Sequence, residues 1–286
     1  MTTDPLQIYR YNQPINLANL WAPYPGFLVC GGPSINDFPL QRLKDRGIVS
    51  LAVNQVASYV PVRAWCFSDS HYKFHYGMWI DPAIMTFAPV PKISGRRRFH
   101  MQVNGEFCNS AKTSICPNTF GFQRRTCFVP ATFFETDYAH WGPGYHQPKD
   151  VPPIGCLCTM LIGIRLLHYL GVKRIYLLGV DWVGRDGKCY GFPDTKRERN
   201  RRYKRENAML EALLPRFKEK GIEIFNCNLH SRCLLFDYIS FDDALDDCKG
   251  DVPDEPFDAT DWYRMNWHEE QCARNPSIIP RHFDKI

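Results

Sequence analysis

An apolar run that stops at two glycines constrains this chain more than any other feature. Residues 26–37 read GFLVCGGPSIND, and Phe27, Leu28, Val29 and Cys30 have the continuous apolar character of a strand buried on both faces of a parallel sheet. Gly31 and Gly32 then let the backbone turn sharply or approach a ligand closely, because neither carries a Cβ. Ser34 or Asn36 is placed to cap a following helix. A strand, a glycine turn and a helix N-terminus in this order suit an anion such as a nucleotide phosphate, and equally a plain strand-to-helix turn.

Other strand ends are expected beside this turn. Residues 48–53, IVSLAV, read as a second buried strand delivering Asn54 and Gln55, and residues 62–67 as a third, ending at Ser68 and Asp69. Ligands of open parallel α/β sheets bind beyond the carboxyl ends of the strands, so Gly31, Gly32, Pro33, Ser34, Asn54, Gln55 and Asp69 would share one edge. An Asn there can read a base or ribose, and an Asp can accept from hydroxyls or hold a metal; the alternative for each is a turn residue bonded to its own backbone. Between them, residues 38–46 have the pattern of a short amphipathic helix. Regularity returns at Ile154. Residues 155–170 are apolar on nearly every side, as a buried helix is, and VKRIYLLG follows as a strand ending at Gly179, Val180 and Asp181. The start of that helix, at Ile154, Gly155 and Cys156, is a second candidate anion site. Residues 207–220 read as an amphipathic helix containing Pro215, and residues 222–225 as another strand.

The remainder is less periodic. Residues 1–25, broken by four prolines, read as an irregular leader; residues 81–153 read as a long insertion or lid with a short strand at 126–129. The expected fold is α/β: a Rossmann-like, doubly wound, mostly parallel sheet in one nucleotide-binding domain over residues 1–249, with residues 250–286 as a C-terminal extension packed on it. His71 and His75 have the spacing of two ligands on one helix face, although the aromatics around them fit a packing surface better.

Composition narrows the chemistry. With 286 residues, 44% hydrophobic and 23% charged, the chain is neither disordered nor fibrous. Its 12 cysteines include no pair of CxxC motifs, which argues for reduced, buried thiols and against a structural zinc site. No signal-like leader and no run of ~18 apolar residues occurs, so a cytoplasmic protein without a transmembrane segment is expected. A net charge of +5 does not by itself call for nucleic acid. The run from Lys196 to Arg205 is nevertheless basic enough to meet a polyanion such as DNA, a solvated helix face being the ordinary alternative.

Taken in order, GFLVCGGPSIND, LAVNQVA, CFSDS, LHYLGVKRIYLLGVDW and IFNCNLHSRCLLFDYISFDDAL resemble the bacterial sialyltransferases that modify lipooligosaccharide, and equally the 6-hydroxymethylpterin diphosphokinase-like proteins. The resemblance implies a Rossmann-like sheet with a nucleotide at the strand ends. It implies contacts to that nucleotide from Gly31, Gly32, Pro33, Ser34, Asn54 and Gln55, with Gly179 to Asp181 as the family's Gly-hydrophobic-Asp motif and Tyr190 as the counterpart of a family tyrosine. Where the family starts its central helix with Thr-Ser-Gly, this chain has Ile154, Gly155 and Cys156; where the sialyltransferases carry a histidine base before the last helix, it has the basic run. The expectation is therefore a glycosyltransferase-like transferase using a nucleotide or nucleotide-sugar donor. Its base would be Asp181, Asp69, His71 or His230 in that order, and Mg²⁺, where needed, would sit on Asp69 and Asp181. The alternatives are diphosphate transfer from Mg-ATP, sugar transfer onto DNA, and a nucleotide-binding module without catalysis.

Overall fold

The computed structural model describes residues 4–10, 13–69, 74, 78, 84–90, 98–103, 106–112, 118–143, 157–185, 188–192, 200–250 and 252. In chain order the strands are β1 (Ile8–Arg10), β2 (Gln13–Ile15), β3 (Gly26–Val29), β4 (Val49–Val53), β5 (Ala64–Cys66), β6 (Met85–Pro89), β7 (Arg98–Val103), β8 (Glu106–Lys112), β9 (Thr119–Phe122), β10 (Arg124–Arg125), β11 (Ala139–His140), β12 (Arg174–Leu178), β13 (Glu223–Asn226) and β14 (Asp237–Tyr238). The helices are α1 (Thr159–Tyr169) and α2 (Asn200–Glu219), with α3 (Phe241–Cys248) closing the described chain.

Ten strands form one sheet in the order β14-β13-β12-β3-β4-β5-β6-β9-β1-β2. From β14 to β9 every pairing is parallel, and β1 and β2 add an antiparallel edge. This is the α/β, Rossmann-like, mostly parallel sheet expected from the sequence. Strand alternation explains why the central runs are apolar throughout. Leu28, Leu51, Ile175 and Leu177 face a core shared with α1 and α2, while Phe27, Val29, Tyr176 and Leu178 face a second core shared with α3. Both faces are covered, so a polar residue within these strands needs a partner of its own, as Ser50 of β4 finds in the Arg63 N–H at 3.1 Å.

Several segments differ from the sequence reading. Residues 38–46 contain no α-helix: two short 3-10 turns, Pro33–Asp37 and Leu40–Lys44, occupy the connection, each spanning five residues. Pro39 sits between them and cannot donate to a continuous helical ladder. The expected strand at 126–129 is replaced by β10, which pairs with β11. Within the insertion β6 and β9 are strands of the central sheet, hidden in the sequence by the short lengths of MTFAP and TFGF. The leader likewise supplies β1 and β2, three residues each, too short to show a period. Beyond Gly250 only Val252 is described; it is buried in the main core, and the rest of the extension lies outside the described residues.

The leader is tied down by charge. Arg165 on α1 is fully buried and takes both carboxylate oxygens of Asp4 at 2.6 Å, with the carbonyls of Phe134 and Thr136 at 3.2 Å completing its partners. Two histidines nearby are held neutral. Burial first, and the Arg165 charge second, push His140 down to about 4. His168 lies 3.7 Å from Asp4, which favours a charged ring, but burial and Lys173 outweigh that contact and bring it to about 4 as well.

Two outcomes follow. Replacing Asp4 by Ala strands a buried guanidinium and should lower the unfolding free energy by about 3–5 kcal/mol, read from urea midpoints. Below pH ~6.5 the unfolded histidines bind protons that the folded ones refuse until about pH 4, so stability should fall as pH drops through that window, by up to about 3 kcal/mol per histidine. Flat urea midpoints between pH 6.5 and 4 would contradict the buried neutral state.

Candidate active site

The chain leaves β3 for β4 on one side and later returns to place β12 on the other, so the sheet order reverses between β3 and β12. In open α/β sheets this switch point opens a crevice beyond the carboxyl ends of the strands. A cavity of ≈ 480 Å³ lies there. Gly31, Gly32 and Pro33 line it after β3, Asn54 and Gln55 after β4, Ser68 and Asp69 after β5, and Gly179 and Asp181 after β12. The strand-end residues singled out in the sequence are thus brought together.

Asp181 fastens this crevice. It is buried, and its Oδ2 accepts the Ser34 N–H at 2.7 Å while Oδ1 accepts the Ser34 hydroxyl and, at 2.8 Å, the Asn228 side-chain amide. The Gly32 N–H donates to the Gly179 carbonyl at 2.9 Å. This approach needs glycine on both sides. A Cβ on Gly32 would stand 2.5 Å from the Gly179 oxygen, and Gly179 has φ +66 with the Cys30 oxygen 2.1 Å from where its own Cβ would be.

These bonds change the role expected of the glycine turn. The N–H groups of Gly32, Ser34 and Ile35 donate to Gly179, Asp181 and Gly32 respectively, and Pro33 has no N–H. The turn therefore shapes the cavity floor while its donors serve the protein. The same bonds bear on Asp181 as a base or metal ligand, because a proton or ion there must compete with three donors already in place. Among the described residues no group of three or more His, Cys, Asp or Glu has the geometry to hold a metal ion.

Further donors lie at the start of α1. Its N-terminus is at Thr159, with Cys158 as N-cap, several residues later than expected; Ile154, Gly155 and Cys156 lie outside the described residues. The sequence concealed this start because Cys158 caps with no side-chain hydrogen bond and leaves no capping signature. Cys158, Thr159 and Met160 line the cavity, and the first-turn N–H groups of a helix have no acceptor within it. Hydroxyls stand beside them. Thr159 Oγ1 is 2.5 Å from Ser68 Oγ and accepts from the Asn54 amide at 2.9 Å, while Asn54 Oδ1 accepts the Ser68 N–H at 3.1 Å. Asn54 itself has φ 50, in the left-handed region that Asn tolerates better than most residues. It joins the ends of β4 and β5 to the start of α1.

The remaining walls are aromatic and acidic. Tyr190 stacks on Phe192, and Phe192 on Tyr59, each pair with centroids 5.0 Å apart. From α2 come Tyr203 and Glu206, neither of which stood out in the sequence as a site residue. Tyr203, Glu206, Leu210, Leu213 and Phe217 follow one helical stripe, so extending the apolar pattern backwards would have exposed a carboxylate on the buried face. Burial, followed by a hydrogen bond with Cys189, raises the Tyr203 phenol. Burial raises the Cys30 thiol, with the charges of Glu206 and Asp181 adding to it. Asp69 acts on Arg124, whose guanidinium lies 3.6 Å from the centre of the Trp141 ring. His230 is exposed and does not line the cavity, and His71 lies outside the described residues. Of the basic run, Lys204 and Arg205 are exposed near the start of α2, and residues 196–199 lie outside the described residues.

Replacing Asp181 by Asn would turn an amide N–H₂ toward Ser34 or Asn228. The unfolding free energy should drop by about 1–3 kcal/mol, measured by urea titration. An unchanged midpoint would mean that the carboxylate does not hold the crevice.

No protein-family model matches the sequence, and no curated protein matches it. Among solved structures the chain is similar to the sialyltransferase CstII from Campylobacter jejuni with cytidine-5'-monophosphate, at 14% identity and a TM-score of 0.44, over 82% of this chain and 88% of that chain. It is also similar to the CstII complex with CMP-3FNeuAc, at 11% identity and a TM-score of 0.39, over 82% and 89%. A third is the sialyltransferase CST-II with a trisaccharide acceptor and CMP, at 14% and 0.40 over the same shares. At these values the likeness carries no argument about activity, and the fold rests on the strand order itself.

Proposed function

We propose that the chain is a nucleotide-dependent transferase of glycosyltransferase type, working in the cavity at the switch point. One observation carries this reading: the uncapped start of an 11-residue helix, the Ser68 and Thr159 hydroxyls and three carboxylates all line one cavity. The helix start and the hydroxyls suit a donor phosphate, since the N-terminal N–H groups and the helix dipole both favour negative charge. Tyr190, backed by the Phe192 ring, offers an aromatic wall to a base, and Asn54 fixes the hydroxyl pair.

Charge defines what else is needed. The described lining includes Asp69, Asp181 and Glu206 but no Lys, Arg or His. A leaving phosphate gathers negative charge, so the counter-charge comes from the α1 N-terminus. Mg²⁺ carried in with the donor would serve the same end. Diphosphate transfer from Mg-ATP is favoured less, because Asp181, one of its two expected ligands, already accepts three donors.

A thermal-shift screen against CMP, UDP, GDP, ATP and the matching nucleotide sugars, with and without Mg²⁺, tests the reading. A ligand present at a hundred times its Kd should add about 2.7 kcal/mol, a Tm rise of roughly 5 °C for a chain of this size. If no nucleotide raises Tm in either condition, the reading falls.

A further inference from the structure

We infer that Trp141 is a stacking platform for a pyranose ring, the sugar carried on the donor phosphate. The inference rests on the transferase reading above and adds a sugar subsite to it. Of the tryptophans among the described residues, Trp21, Trp65 and Trp182 are buried, whereas Trp141 is half-buried and lines the cavity. A broad apolar ring left open toward a cavity gains the rest of its burial only when a ligand covers it.

The ring is held in place before any ligand arrives. Trp141 directly follows β11; its N–H donates to the Arg125 carbonyl of β10 at 3.0 Å, and its own carbonyl accepts the Cys158 N–H at 2.7 Å. The Arg124 guanidinium stands over one face of the indole, 3.6 Å from its centre, and Arg125 stands in the same way over Tyr138 at 4.3 Å. With that face taken by the guanidinium and part of the side chain packed against the main core, the opposite face is the one left for the cavity. A side chain already fixed in this way loses little freedom when a ligand is laid on it.

Position decides the ligand. Cys158 is the N-cap of α1, the helix start that suits a donor phosphate, and the backbone hydrogen bond ties Trp141 to it. Leu157, 40% exposed, lines the cavity one residue before that cap and adds apolar surface there. In a nucleotide sugar the sugar is bonded directly to phosphate, while the base is separated from it by the ribose. The aromatic residue tied to the helix start therefore suits the sugar, and Tyr190, on the loop after β12, is left for the base. One face of a pyranose carries mainly C–H groups, which rest on an aromatic ring, and the hydroxyls at its rim need polar partners. Asp69 lines the same cavity, and an ionised carboxylate has about four lone-pair sites for such hydroxyls.

Titration calorimetry with CMP against CMP-N-acetylneuraminate, UDP against UDP-glucose and GDP against GDP-mannose separates the sugar from its nucleotide. For the pair that the wild type binds, Trp141→Leu, which keeps apolar bulk without a flat ring, should raise Kd for the nucleotide sugar roughly tenfold while Kd for the nucleotide stays within about threefold. Trp141→Phe should recover most of the loss. Each variant is checked for folding by circular dichroism, and Trp141→Ala takes the place of the Leu variant if that one does not fold. Equal losses for both ligands, no loss for either, or a Phe variant no better than the Leu variant overturns the platform and leaves the transferase reading standing. So does a wild type that binds nucleotides but none of the nucleotide sugars. If the wild type binds neither, the reading itself falls.

Discussion

The Asp181 carboxylate is the point on which the crevice depends. Two loops that are nearly two hundred residues apart in the chain, one after β3 and one after β13, both supply donors to it. Parallel sheets leave such loops splayed beyond the strand ends, with polar backbone that must find partners. A buried acid with several acceptor sites gathers those donors in one place. The close backbone passage of Gly32 over Gly179 follows, and it brings the glycine turn down against β12 so that the cavity has a floor.

The strands on either side of that floor were legible in the sequence for a physical reason. β3, β4 and β12 are covered on both faces, so they are apolar but for residues with a partner such as Ser50, and their apolar runs stop abruptly where cover ends. That abruptness marked Asn54, Asp69 and Asp181 as strand-end residues. The same rule says nothing about α1, which is apolar all round and announces neither its face nor its start. Only backbone geometry sets the first turn at Thr159. β6 and β9 escaped notice because four or five residues between prolines, glycines and aromatics do not establish a period. Glu206 is hidden in the sequence because the apolar pattern by itself starts the helix at residue 207; with α2 running from Asn200, the residue falls on the stripe that Leu210 and Leu213 define.

The cavity combines groups that would be at odds in water. Three carboxylates, a helix start and two hydroxyls line one space of ≈ 480 Å³. Held apart by different elements, they divide the work: one fastens loops, one answers a guanidinium, and one stands on the opposite wall. In the proposed function, a donor bridging the space sets its phosphate against the positive backbone dipole at the start of α1.

The ion pair between Asp4 and Arg165 bears on how the chain comes to be folded. Residue 4 leaves the ribosome long before residue 165, and β1 must likewise wait for β9 at residues 119–122. Residues 4–10 thus wait for partners more than a hundred residues further along, and until α1 emerges the sheet edge they cover stays exposed, which is the stage at which a chaperone has most to protect.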